Sequence, residues 1–348
     1  MKIVCSDDHR GHDPLYEFNR GRLVPAYESP ARAAAVLNAL REAELGEIEA
    51  ASGFPLEPIL RVHRREYVDF LEHAYEEWQA LGRTGDALPL AWPVRGLRSD
   101  RAPRSLDGRL SFYSFDISTP VTVGTWRAAK GAANVALAGA QYVSAGREWS
   151  AFGLCRPPGH HAATDCYGGY CFLNNAAIAA QSLRDNGAAK VAILDVDYHH
   201  GNGTQQIFYE RADVLFVSIH ADPATDFPYF LGYVDETGAG EGRGFNRNLP
   251  LPAGTGWDDW SAALDAACGT IAAFAPDTLV VSLGMDTFSK DPLASFRLES
   301  DDYLRMGARI ARLARPTLFL MEGGYALEEL GLNVANVLRG YEDAAPGF

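Results

Sequence analysis

Six short runs of apolar, largely β-branched residues punctuate this chain, and stretches with helical periodicity separate them. Lys2–Cys5, Ala151–Cys155, Val191–Val196, Val214–Ile219, Thr278–Leu283 and Thr317–Met321 read as strands. Several lack polar alternation, the pattern of strands buried on both faces. Strands alternating with helices predict an α/β fold, a parallel sheet covered by helices on both faces. Ser29-Pro30 and Thr119-Pro120 each place a cap residue before a proline at the first helical position. Apolar residues at 67, 70, 71, 74, 75, 78 and 81 predict a helix over Tyr67–Leu81.

The 348 residues are 47% hydrophobic and 22% charged, which excludes a disordered chain. The expectation is one domain over 1–348, because the strand pattern continues on both sides of the segment 82–118. That segment is rich in Gly, Pro, Ser and Arg, with Pro89, Pro93 and Pro103 breaking regular structure. It reads as an inserted loop, a lid or a subunit contact. Net charge is −14, a field that repels nucleic acid and anionic lipid and favours cationic ligands. The five cysteines are irregularly spaced, with neither a disulfide framework nor a C-x-x-C metal pair. No apolar run approaches the 18 or so residues of a membrane span, and the start turns acidic too early for a signal peptide. A soluble, cytoplasmic protein is expected.

The most informative segment is Ile193-Leu194-Asp195-Val196-Asp197-Tyr198-His199-His200-Gly201-Asn202-Gly203. It opens as a buried strand, so Asp195, Asp197 and His199, two apart, fall on one side. Carboxylates at the end of an apolar strand are costly unless paired or bound to metal. A polar turn with hydrogen-bonded histidines is the plainer alternative. Val280–Leu283 also leads to a carboxylate, Asp286, which by itself reads first as a helix cap or turn residue. Asp197, His199 and Asp286 together make three protein ligands with open coordination, the arrangement of a catalytic metal site. Two carboxylates and one imidazole suit Zn²⁺, Fe²⁺ or Mn²⁺.

Two further strand ends carry reactive groups. Arg156-Pro157-Pro158-Gly159-His160-His161 follows one strand, and Glu322-Gly323-Gly324-Tyr325 another. A rigid Pro-Pro-Gly loop would hold two imidazoles at the sheet edge where ligands bind in open α/β folds. One of them could take a proton from water and return it to a leaving amine. The tyrosine reads either as a buried aromatic or as an oxyanion donor.

These residues resemble the histone deacetylase superfamily, and within it the acetylpolyamine amidohydrolase branch. The likeness spans the Arg156–His161 loop, Gly168–Asn175, Asp195–Gln205, Gly284–Pro292, Glu322–Tyr325 and Gly331–Val337. It implies an arginase/deacetylase-like fold with a central, mostly parallel sheet of about eight strands. It implies zinc ligands at Asp197, His199 and Asp286, a general base and acid at His161, and an electrostatic neighbour at His160. Asp195 and Asn202 match the groups that bond the outer nitrogens of those two histidines, and Tyr325 the group that polarises the acetyl carbonyl. Asp195, Asp197, His199, Ser218 and Ile219 match a structural K⁺ site, and Phe208, Arg211 and Val214 a second one.

For the substrate, the resemblance implies aromatic walls at Tyr170 and Phe227 beside Gly169, and an acidic residue, Glu17, toward a cationic end. The loop 82–118 matches an insertion that narrows the tunnel and forms a homodimer. A glutamate that relatives place there aligns with Ser118, with Asp107 and Asp116 as nearby acidic substitutes. The implied reaction is hydrolysis of acetylated polyamines or diamines to acetate and free amine. A protein lysine deacetylase and an inactive binder of acetylated ligands are the rivals. An arginase-type two-metal hydrolase fits less, since positions 201 and 284, where its bridging carboxylates would stand, are glycine.

Overall fold

Strand neighbours in this chain are chosen at long range. The computed structural model describes residues 1–345, so the domain expected over 1–348 runs three residues past the described ones. The strands are β1 (Lys2–Cys5), β2 (Tyr16–Asn19), β3 (Arg22–Pro25), β4 (Glu47–Ala50), β5 (Ser150–Gly153), β6 (Val191–Asp195), β7 (Val214–Ala221), β8 (Asn246–Leu251), β9 (Thr278–Leu283) and β10 (Thr317–Met321). The helices are α1 (Pro30–Glu42), α2 (Glu57–Leu60), α3 (Arg65–Ala80), α4 (Leu106–Phe112), α5 (Thr125–Ser144), α6 (Asn175–Asp185), α7 (Asn202–Phe208), α8 (Trp257–Phe274), α9 (Ser300–Ala311) and α10 (Leu327–Ala344).

Among the described residues, eight strands form one sheet in the order β4-β1-β5-β10-β9-β6-β7-β8. Every pairing in it is parallel. Alternate residues of one strand enter different cores. Leu318 and Leu320 join the cluster beneath α3, α5 and α6, while Phe319 joins the one beneath α1, α8, α9 and α10. That two-sided burial is why β6, β9 and β10 read as unbroken apolar runs. The predicted α/β architecture with helices on both faces is the observed one.

Several local expectations need correction. Thr119-Pro120 does not start a helix; α5 begins at Thr125 behind Gly124. Thr119 Oγ1 instead donates to Asp116 Oδ2 (3.1 Å) and accepts from the Tyr170 amide (2.9 Å). The segment 82–118 is not structureless. It contains α4, bridges Ala87 to Val121, and ties to α3 through Arg109–Glu77. Ser29 caps α1 in extended geometry without a side-chain bond, with Pro30 in the first turn. The strands placed at Ala151–Cys155, Val191–Val196 and Val214–Ile219 run over Ser150–Gly153, Val191–Asp195 and Val214–Ala221.

Candidate active site

The four central strands β5, β10, β9 and β6 are consecutive in the sheet. Their carboxyl ends deliver His160 and His161, Tyr325, Asp286, and Asp195 with Asp197 and His199 to one place. A cavity of about 410 Å³ opens there, lined by His160, His161, Asp197, His199 and Tyr325 at depth. Tyr170, Phe227, Glu17, Gly169, Asp116 and Leu293 also line it.

Asp195, Asp197 and Asp286 are fully buried. His199 Nδ1 lies 3.1 Å from Asp286 Oδ2 and 3.4 Å from Asp197 Oδ1. Asp286 Oδ1 accepts the Tyr198 amide (2.8 Å) and Asp197 Oδ2 accepts the Gly323 amide (2.8 Å). Burial, together with the Asp197 charge, raises Asp286 to about 6. Burial alone would lower the His199 pKa, but bonds to Asp197 and Asp286 raise it to about 10. Two buried carboxylates thus share one imidazole between them, a setting that favours a bound cation.

Donor atoms of Asp197, His199 and Asp286 lie within 4.8 Å of one another. A Cβ at Gly284 would strike Asp197, and one at Gly323 both Asp197 and Asp286, so two glycines cradle the donors. The two-oxygen, one-nitrogen set fits Zn²⁺, Fe²⁺ or Mn²⁺. A side chain at Gly201 would meet Asp195, and one at Gly284 Asp197, which leaves no room for the bridging carboxylates of a two-metal hydrolase.

The two histidines meet different partners. His160 Nδ1 donates to Asp195 Oδ2 (3.0 Å), and its Nε2 lies 3.8 Å from Asp197 Oδ1. Burial disfavours its charged form, yet Asp197 and Asp195 outweigh this and lift it to about 10. His161 is pushed well down by burial and by the charges of His160 and His199. Its Nδ1 donates to Asn202 Oδ1 (2.6 Å), leaving Nε2 as a bare acceptor. Gly169, at φ +54°, packs on this ring, where a Cβ would collide.

The remaining predicted residues divide by position. Phe227 stands edge-on to His161 at 5.1 Å, and Tyr170 edge-on to Tyr325 at 5.6 Å. The Tyr170 hydroxyl donates to Glu17 Oε1 (2.8 Å), and burial raises Glu17 to about 7. Asp116 spends its carboxylate on the Gly169 amide, the Ser118 amide and Thr119 Oγ1, so it fixes the Gly169-Tyr170 turn. Ser218 pairs with Asp195 across adjacent strands, with Ile219 next to it. Phe208, Arg211 and Val214 lie where α7 runs into β7, at the far end of that strand.

Sequence reading missed the supports. Glu322 Oε2 accepts the amides of Gly159 (2.6 Å) and His160 (3.1 Å), holding the histidine loop. Asp291 Oδ2 accepts the Tyr325 amide (2.7 Å). Phe115 stacks on Phe227 at 5.7 Å. Only Glu322 left a sequence signal, a carboxylate directly behind an apolar strand.

A parallel sheet whose strand ends gather this potential metal-ligating donor set points to a class of hydrolase. The histone deacetylase domain family matches residues 26–341, and the chain belongs to that family. It is 57% identical over 342 residues to acetylpolyamine amidohydrolase 2 of Pseudomonas aeruginosa, covering 98% of this chain and 99% of that one. It is 49% identical to acetylpolyamine amidohydrolase of Mycoplana ramosa, covering 98% and 99%. The crystal structure of acetylpolyamine aminohydrolase from Burkholderia pseudomallei superposes with a TM-score of 0.94 at 40% identity, covering 99% and 100%.

Proposed function

We propose that this chain is a metal-dependent amidohydrolase that removes acetyl groups from N-acetylated linear diamines or polyamines. The observation that carries the reading is the cavity lined by His160, His161, Asp197, His199 and Tyr325 together with the aromatic Tyr170 and Phe227, where donor atoms of Asp197, His199 and Asp286 gather within 4.8 Å. Asp197, His199 and Asp286 would hold Zn²⁺, Fe²⁺ or Mn²⁺, and the bound cation would supply Lewis-acid polarisation of a carbonyl and acidification of water. His161, with Nδ1 fixed by Asn202, takes the water proton at Nε2 and passes it to the departing amine nitrogen. His160, charged beside Asp195 and Asp197, steadies negative charge developing at the reacting carbon's oxygens. Tyr325 donates its hydroxyl proton in a hydrogen bond to the former carbonyl oxygen.

Tyr170 and Phe227 would sandwich a methylene chain, and Glu17 and the net charge of −14 favour an ammonium group at its far end. A structural K⁺ at Asp195, Asp197, His199, Ser218 and Ile219, and a second at Phe208, Arg211 and Val214, complete the proposal. Exposed Phe18, Ile117 and Tyr229 line the cavity, and with exposed Tyr16, Leu23 and Phe230 they favour a homodimer. The free cysteines suit a reducing cytoplasm. Among the described residues, no helix is long and apolar enough to cross a membrane.

The deciding measurement compares metal-loaded protein on acetylputrescine, acetylcadaverine and an acetyl-lysine peptide. Higher kcat/KM on the small amines is expected. Preference for the peptide would make it a protein lysine deacetylase, and no turnover on any would make it a binding protein.

A further inference from the structure

The wall that carries Phe227 belongs to a loop, residues 226–236, that has little core beneath it. The active-site cavity lies on one side, and a second hollow of about 500 Å³, lined by Gln205, Leu231 and Glu236, on the other. Phe230 and Val234 are 85% and 69% exposed, so they do not anchor the loop by burial. Hydrogen bonds do. Glu236 Oε2 accepts from Gln205 Nε2 on α7 (2.7 Å), from the Gly232 amide inside the loop (2.8 Å) and from Asn248 Nδ2 on β8 (3.3 Å). One carboxylate oxygen thus ties the loop to a helix and to the sheet edge.

The start of the loop is held by Asp226, which accepts from the Tyr198 hydroxyl (2.8 Å), and by Phe227 stacked on Phe115; further contacts converge on the turn at Gly232. His220 Nε2 donates to the Gly232 carbonyl (2.9 Å), and Asn246 Nδ2 to the Glu236 carbonyl (2.6 Å). Gly232, at φ +113°, packs so closely that a Cβ would lie 2.9 Å from both the His200 and His220 rings. The helix at the centre of this arrangement is α7. Its first residue, Asn202, orients His161, and Gln205, about one turn on, holds Glu236.

We infer that Glu236, through Gln205, is a positioning residue that sets the Phe227 wall against His161 and so governs recognition of linear acylated amines. This rests on the amidohydrolase reading above. A charge-assisted acceptor with three donors holds a loop far more firmly than solvent does, and binding geometry at the wall acts on substrate affinity rather than on the chemical step.

The test uses metal-loaded enzyme with acetylcadaverine. Glu236→Ala is expected to raise KM on the order of tenfold with kcat within about threefold, the signature of lost uniform binding. Glu236→Gln, which keeps an acceptor oxygen, should return KM to near the parent value. Glu236→Asp, which withdraws that oxygen while keeping charge and solubility, should give an intermediate KM and serves if the alanine variant does not fold. Affinity for a linear six-carbon hydroxamate, measured by calorimetry, should fall in parallel, so the inference is scored even if the parent enzyme hydrolyses no acetylated amine. An unchanged KM and affinity in the alanine and aspartate variants, a fall in kcat alone, or no recovery with glutamine would overturn it. Absence of turnover in the parent enzyme, with hydroxamate affinity still following Glu236, would instead sink the amidohydrolase reading.

Discussion

At the scale of residues, the site sets neighbouring groups of the same type in environments that shift their pKa values in opposite directions. His160 and His161 are adjacent, yet carboxylates around the first raise its pKa, while burial and the neighbouring histidines lower that of the second. The division follows from which nitrogen meets which acceptor, Asp195 or Asn202. Both partners stand in the Asp195–Asn202 run, so this chemistry was legible in the sequence as a set of residue types. Which side chain meets which was not. Tyr325 illustrates the same gap. Its ring packs 4.7 Å from the Arg32 guanidinium, and Asp291 fixes its amide, neither of which any spacing indicates. Tyr325→Phe keeps that packing and removes only the hydroxyl. Turnover should fall on the order of 10²–10³ with metal content per chain unchanged, measured by steady-state kinetics and elemental analysis.

At the scale of elements, a buried charge cluster locks the loops to the sheet. Glu28 pairs with Arg32 (3.0 Å) and Arg156 (2.8 Å), all nearly inaccessible to solvent. Arg32 donates to the carbonyls of Gly324 and Glu322, and Arg156 to those of His9 and His12. Burial opposes the Glu28 charge, but Arg156 and Arg32 hold its pKa below the usual range. Glu28→Ala would strand two guanidiniums in the interior. Denaturant unfolding should show a loss of about 3–5 kcal/mol, the usual result of breaking a buried pair from one side. The elements missed from sequence share a cause. β4 and β8 are edge strands, where Glu47, Glu49 and Pro250 are tolerated because one side of the strand is unpaired. The β2–β3 hairpin turns on Arg20 and Gly21, both at positive φ, and an arginine there gives no turn signal.

At the scale of the molecule, three buried carboxylates converge where four strands end, an electrostatic load that a bound cation would relieve. Removing bound metal with a chelator should therefore lower Tm, and restoring Zn²⁺ should raise it with added concentration, since a ligand of the native state stabilises by mass action. A Tm indifferent to chelator would show that the three-donor cluster holds no metal. The sequence by itself determined which segments are strands buried on both faces, and which carboxylates, imidazoles and phenol stand beyond the strand ends. Those signals are local, carried by side-chain period and residue type. Only the tertiary structure decided that β5, β10, β9 and β6 lie side by side. Strand order is set by packing between segments distant in sequence, Thr317 beside both Leu279 and Ser150, and Val191 beside Thr278, and no local pattern encodes it; yet that order is what turns four separate strand ends into one site.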